Sequence, residues 1–182
     1  MTTAVLLLAS LFVRIDTTAG AMTLQLDPVH APISTAAFMR CVDSGKYNGT
    51  TFYRIVRPGN QSPHRPIQVI QGGLNADRDP FGTIPLEPTS LTGLRNLAGT
   101  IGVPRDKDPN TGVGCDFFIN MIDNPLLDSD HSADHHGYAV FGHIVRGMDV
   151  ARKILAAPAK GQTLTPPIRI GRITRVPRAG SR

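Results

Sequence analysis

TFYRIVRPGNQSPHRPIQVIQGG, residues 51–73, holds two short apolar runs separated by a proline-rich insertion, and each run carries a polar residue on what should be an apolar wall. Side chains alternate between the two faces of a strand, so Phe52, Arg54 and Val56 fall on one side of the first run and Thr51, Tyr53 and Ile55 on the other. Arg54 therefore sits between two apolar neighbours. In the second run, expected as a strand over 67–71, Ile67, Val69 and Gln71 share a side, and Gln71 repeats the anomaly. Gly72 and Gly73 behind it suggest a turn or bulge. Two neighbouring strands that each aim a hydrogen-bonding group along an apolar face indicate a β-rich fold with a site built on its sheet.

The pattern extends outward from this stretch. LFVRIDTT and AMTLQLD alternate as two strands joined at Ala19-Gly20 in a hairpin. In PISTAAFMRCVDSGKYNG, Pro32 and Ser34 mark a helix start, Ala37, Phe38, Cys41 and Val42 form its apolar stripe, and Gly45 ends it. CDFFINMI and YAVFGHIV read as further strands, GMDVARKILAAP as a second helix, and PPIRIGRITRV as the last strand. Clustered strands of antiparallel character with two helices predict a mainly β fold, a closed eight-stranded antiparallel β-barrel capped by two α-helices.

Composition agrees with that class. The 182 residues suit one domain, and 18 Gly with 15 Pro favour short elements joined by turns. We expect a leader or remnant signal over 1–11, a single domain over 12–176 and a basic tail over 177–182. MTTAVLLLASLFV is too short to span a membrane and lacks a basic start, so a degenerate export signal and an unstructured leader both remain open, and with them a cytoplasmic or an exported location. The formal charge is +5, but its Lys and Arg are scattered, which favours a solvated basic surface over a specific nucleic-acid interface. Cys41 and Cys115 show no metal-type spacing and are expected as two buried free thiols.

FYR, then IQGG, then N-T-G shortly before FFI, then VFG followed by a G-M-D-V helix, in that order over residues 12–176, resemble the cyclophilin family of peptidyl-prolyl cis-trans isomerases. The resemblance implies a barrel with a proline-binding groove on its outer surface, no cofactor, and proline-containing polypeptides as partners of a monomer. It also implies that Arg54 is the catalytic group, with Gln71 bonding the substrate backbone and steadying the arginine. That assignment suits the chemistry. Rotation about an X-Pro bond meets a barrier of about 20 kcal/mol, because the twisted state loses amide resonance. In that state the prolyl nitrogen gains a lone pair, so a cationic donor aimed at it stabilises the transition state above either planar form.

A dry seat for the proline ring is also required. In CDFFINM, Asp116, Phe118 and Asn120 share one face and Phe117, Ile119 and Met121 the other, which turns Phe118 outward. The resemblance makes Phe118 the pocket floor, adds Leu127, and aligns Val69 with a pocket methionine. Departures from the family pattern surround this core: Gln68 stands at the pocket phenylalanine behind the PGNQSPHRP insertion, Leu126 at a tryptophan, and Tyr138 at a histidine. Gly102-Val103-Pro104-Arg105 replaces S-M-A-N. Gln68, Pro104 and Tyr138 leave a second possibility, a proline-peptide binding module of the same fold with little isomerase activity. In DSDHSADHHGY, His131 and His135 would meet a metal only on a helix, so a solvated loop with no metal is expected.

Overall fold

The computed structural model describes residues 11–64, 66–74 and 79–176. Of the leader expected over 1–11, only Leu11 falls within these, and it already opens the first strand; the tail at 177–182 lies outside the described residues. Strands β1 (Leu11–Thr17) and β2 (Gly20–Leu26) form the expected hairpin, and α1 (Pro32–Asp43) follows. Then come β3 (Thr51–Val56), β4 (Val69–Gly73), β5 (Thr83–Pro85), the one-turn helix α2 (Thr89–Thr92), β6 (Thr100–Val103), β7 (Thr111–Val113) and β8 (Asp116–Asn120). A 3-10 turn at Pro125–Leu127 leads to β9 (Ala139–Arg146), α3 (Met148–Ala156), β10 (Ala159–Lys160) and β11 (Thr163–Arg175).

Strand neighbours run β1-β2-β9-β6-β8-β4-β3-β11, and β11 pairs back onto β1, which closes an eight-stranded antiparallel barrel. Closure gives each of these eight strands a partner on both sides. The two-residue β10 flanks β11, and β5 with β7 makes a separate ribbon. Alternation fills the barrel with Val13, Ile15, Met22, Leu24, Phe52, Ile55, Ile70, Ile101, Phe117, Ile119 and Phe141. From α1, Phe38 enters this core and meets Phe117 edge-on at 5.7 Å and Phe141 at 5.3 Å, while α3 lays Val150, Ala151 and Ile154 against it. Burying an aromatic or aliphatic side chain of this size contributes about 1.5–3 kcal/mol each.

Four local expectations are corrected. The second strand begins at Val69, not 67: just ahead of it the Gln68 N–H donates to a side chain, Asn124 Oδ1 at 3.0 Å, while the Gln68 carbonyl accepts from Met121 N–H at 2.9 Å. Gly72 and Gly73 lie inside that strand, paired with β3 and β8. They are glycines because the backbones crowd there: at Gly73, with φ of 133°, a Cβ would sit 2.4 Å from the Cys115 carbonyl oxygen. Phe52 does not share a face with Arg54. The β3–β4 register skips at Tyr53, an extra residue that turns Phe52 and Ile55 inward and leaves Arg54 and Val56 outside. Finally, Cys41 and Cys115 are not free thiols but a disulfide, since the apolar stripe that seats α1 on the barrel brings Cys41 to the foot of β8 with Cα atoms 6.0 Å apart.

Candidate functional site

The bulge in β3 decides what the outer face offers. With Tyr53 as the unpaired residue, Arg54 stands opposite Gln71 on β4, and Gln71 stands opposite Phe118 on β8. Three strands thus set a guanidinium, an amide and an aromatic ring in one row. Arg54 Nη1 donates to Gln71 Oε1 at 2.8 Å, and its Nε donates to Gln162 Oε1 at 2.9 Å. Gln162 is fixed in turn by donating to the Asn60 carbonyl at 3.1 Å. The guanidinium is therefore gripped on two edges while its Nη2 group has no partner among the described residues. Gln71 Nε2 donates to the Tyr53 hydroxyl at 2.8 Å and to Asp116 Oδ2 at 3.3 Å, and Tyr53 donates to the same Asp116 oxygen. Burial, and then the negative charge of Asp116, push the Tyr53 hydroxyl far above the ordinary range for tyrosine, so it keeps its proton.

Beside this polar row lies an apolar cluster separate from the barrel core: Val56, Val69, Phe118 and Leu127, with Ile67 and Tyr138 packed against it. Tyr138 meets Phe118 edge-on at 5.9 Å and 90°. Above them a cavity of about 340 Å³ is lined by Ile67, Leu126, Leu127 and Tyr138, by His64 from the proline-rich insertion, and by Arg105 and Asp134. Arg105 lies over the Tyr138 ring at 4.6 Å and pairs with Asp134 at 2.7 Å. Although partial burial pulls the Asp134 carboxyl up, bonds from Arg105 and the His136 backbone prevail and hold it down at about 2.

Leu127 owes its position to a buried polar spine. Asn96 donates from its backbone and side chain to Asp128 Oδ1 at 2.9 and 2.8 Å, Asn120 donates to Asn96 at 3.1 Å, and Asn124 donates to Asn120 at 2.7 Å and to the Gln68 carbonyl at 3.0 Å. Each buried group is satisfied by the next, which fixes the 3-10 turn and the start of β4 together.

Of the residues singled out from sequence, Arg54, Gln71, Phe118, Val69, Leu127, Leu126 and Tyr138 come together on this face. Gln68 does not join the cluster: Val69 faces outward, so the preceding outward position is Ile67. Sequence reasoning missed Gln162, Tyr53, Asp116, Arg105 and Asp134 as site neighbours. Tyr53 carried a signal, a polar aromatic beside the arginine, but only the bulge turns its hydroxyl outward. His131 and His135 lie on a loop of turns, with His131 against Asp130 at 2.9 Å. No helix among the described residues is long and apolar enough to cross a membrane.

Comparison with known proteins agrees with this fold. Residues 12–175 match the family described as cyclophilin type peptidyl-prolyl cis-trans isomerase/CLD. The chain belongs to the cyclophilin-type peptidyl-prolyl cis-trans isomerase family, and so to an enzyme class. It is 41% identical over 146 residues to peptidyl-prolyl cis-trans isomerase A of Dickeya dadantii, covering 80% of this chain and 71% of that one. It is 33% identical over 144 residues to peptidyl-prolyl cis-trans isomerase cyp18 of Streptomyces antibioticus, covering 78% of this chain and 81% of that one. A cyclophilin-type isomerase of Cryptosporidium parvum, solved in the presence of the dipeptide Ala-Pro, shares the fold with a TM-score of 0.73 at 20% identity, over 91% of this chain and 99% of that one.

Proposed function

We propose that the protein accelerates rotation about X-Pro bonds in exposed segments of polypeptides, with Arg54 as the catalytic donor and Phe118, Val69, Leu127 and Tyr138 seating the proline ring. One observation carries this reading: a guanidinium held on two edges by Gln71 and Gln162, with Nη2 unpartnered among the described residues, beside an apolar cluster on the outer wall of the barrel. The apolar seat holds the ring away from water while the imide carbonyl swings. The prolyl nitrogen, planar and poor as an acceptor in both ground states, accepts from Arg54 only when twisted, so the bond forms where it lowers the barrier. No nucleophile, base or cofactor is required. Uncatalysed isomerisation takes tens to hundreds of seconds and limits folding of many chains, so unfolded and partly folded proteins are the substrates this activity would assist.

The test is a protease-coupled assay on short X-Pro peptides with wild type and Arg54→Ala. One donor aimed at developing charge contributes about 3 kcal/mol, so kcat/KM should fall by about a hundredfold while the thermal midpoint is retained. Equal rates in the two proteins would refute the role of Arg54, and tight peptide binding without turnover in wild type would make the protein a binding module.

A further inference from the structure

We infer that Tyr53 and Asp116 are positioning residues, which act through Gln71 to fix the direction of its amide and hence the aim of Arg54. This rests on the assignment of Arg54 above and extends it by two residues outside the row first recognised.

The inference follows from which groups can donate. An ionised carboxylate has no proton to give, so at Asp116 it only accepts. Tyr53 reaches that oxygen and must use its single O–H there, which leaves only its lone pairs for Gln71. Gln71 must then turn its NH2 toward Tyr53, at 2.8 Å, and its carbonyl toward Arg54, at 2.8 Å. The same NH2 group also lies 3.3 Å from that Asp116 oxygen, which favours the same orientation. A glutamine amide is otherwise nearly symmetric and flips at little cost. Flipped, it would present NH2 to the guanidinium, donor against donor, and lose one of the two bonds that grip Arg54. The carboxylate at position 116 thus gives the whole row a polarity, from Arg54 through Gln71 and Tyr53 to Asp116.

Sequence and fold make the arrangement specific. Asp116 is buried at the first position of β8, opposite Gly73, and Phe118 follows two residues later on the same face. Tyr53 reaches it because the bulge makes Tyr53 and Arg54, consecutive in sequence, both available to the outer surface. Burial keeps the phenol protonated, so the direction of the relay is unchanged through neutral pH.

A double-mutant cycle on X-Pro peptide turnover separates positioning from mere stability. Tyr53→Phe and Asp116→Asn should each lower kcat/KM by about three- to tenfold, the value of one directional hydrogen bond, through kcat and with KM held. In a Gln71→Leu background the same changes should alter kcat/KM by no more than about twofold, because the link through which they act is gone. Singles equal to wild type, or losses that persist in full without Gln71, would overturn the inference while leaving Arg54 in place. A second measurement is independent of turnover: the Gln71 side-chain NH2, followed by NMR in the full-length protein, should exchange slowly with water in wild type and fast in Asp116→Asn. Unchanged exchange in Asp116→Asn would overturn the inference even if Arg54→Ala retained full activity and the Arg54 assignment had itself failed.

Discussion

The ring of Phe118 stands where a side chain at position 102 would begin. Gly102 and Phe118 are cross-strand partners, and a Cβ on Gly102 would lie 2.5 Å from Phe118 Cζ and 2.5 Å from the Ala139 carbonyl oxygen. Glycine here is a packing requirement, and it permits the ring to lie flat against the sheet with only 4% of the residue exposed. Two outcomes follow. Phe118→Ala removes the floor of the apolar cluster, and loss of that contact area should weaken binding of a proline peptide by at least about tenfold in a calorimetric titration. Gly102→Ala should lower the thermal midpoint and weaken the same peptide, since the ring and the β9 backbone must both give way. A peptide affinity unmoved by either change would make Phe118 part of the wall and not of the seat.

The disulfide joins two elements that the chain separates by 74 residues, the inner face of α1 and the residue before β8. Cross-linking a loop of that length removes enough freedom from the unfolded chain to stabilise the fold by about 4 kcal/mol in the loop-entropy description. It also staples the start of β8, where Cys115 N–H donates to Asp79 at 2.7 Å and the Cys115 carbonyl accepts from Leu74 N–H at 3.2 Å. Reductant, or Cys41→Ala with Cys115→Ala, should therefore lower the denaturant midpoint clearly, and alkylation of the denatured, unreduced chain should label neither cysteine. Labelling of both, with no effect of reductant, would contradict this. The same elements explain what could be read from sequence. The faces of β8 were legible because its alternation is unbroken from Asp116 to Asn120, and that alone turned Phe118 outward. The faces of β3 were legible only in part. A bulge leaves no mark in local composition, so alternation alone sets Phe52 beside Arg54; strand parity does put Ile67 on the face of Val69 and Gln71, and it is the family resemblance that points to Gln68 instead. Cys41–Cys115 and Arg54–Gln162 are contacts between distant segments, fixed by how α1 and the β10–β11 turn dock, and no periodicity encodes them.

At the scale of the whole molecule, carboxylates with cationic partners tie the barrel's seam and the rim of the site. Arg175 bonds draw the Asp43 carboxyl below its ordinary value of 3.8 and link the end of α1 to the end of β11. Slight burial pulls Asp16 upward, but Arg14 and Arg172 outweigh it and lower its carboxyl across the β1–β11 seam. Bonds from Arg95, then His131, hold Asp130 at about 2, and Asp134 at the cavity rim sits at about 2 against Arg105. Each folded-state value lies below the unfolded one, so the unfolded chain takes up protons first as the medium is acidified, and stability is lost as pH falls. These contributions are fully present above pH about 4 and disappear progressively toward pH about 2. Denaturant midpoints measured down this range should be level above pH 4 and drop below it. The drop should shrink in high salt, because the pairs are largely exposed and screened. Asp130→Asn with Asp134→Asn should lower the plateau a little and flatten the fall, the variant having fewer depressed carboxyls left to protonate. A midpoint that stayed level to pH 2.5 would contradict these contributions, and a fall as steep in the variant as in wild type would place acid sensitivity elsewhere in the molecule.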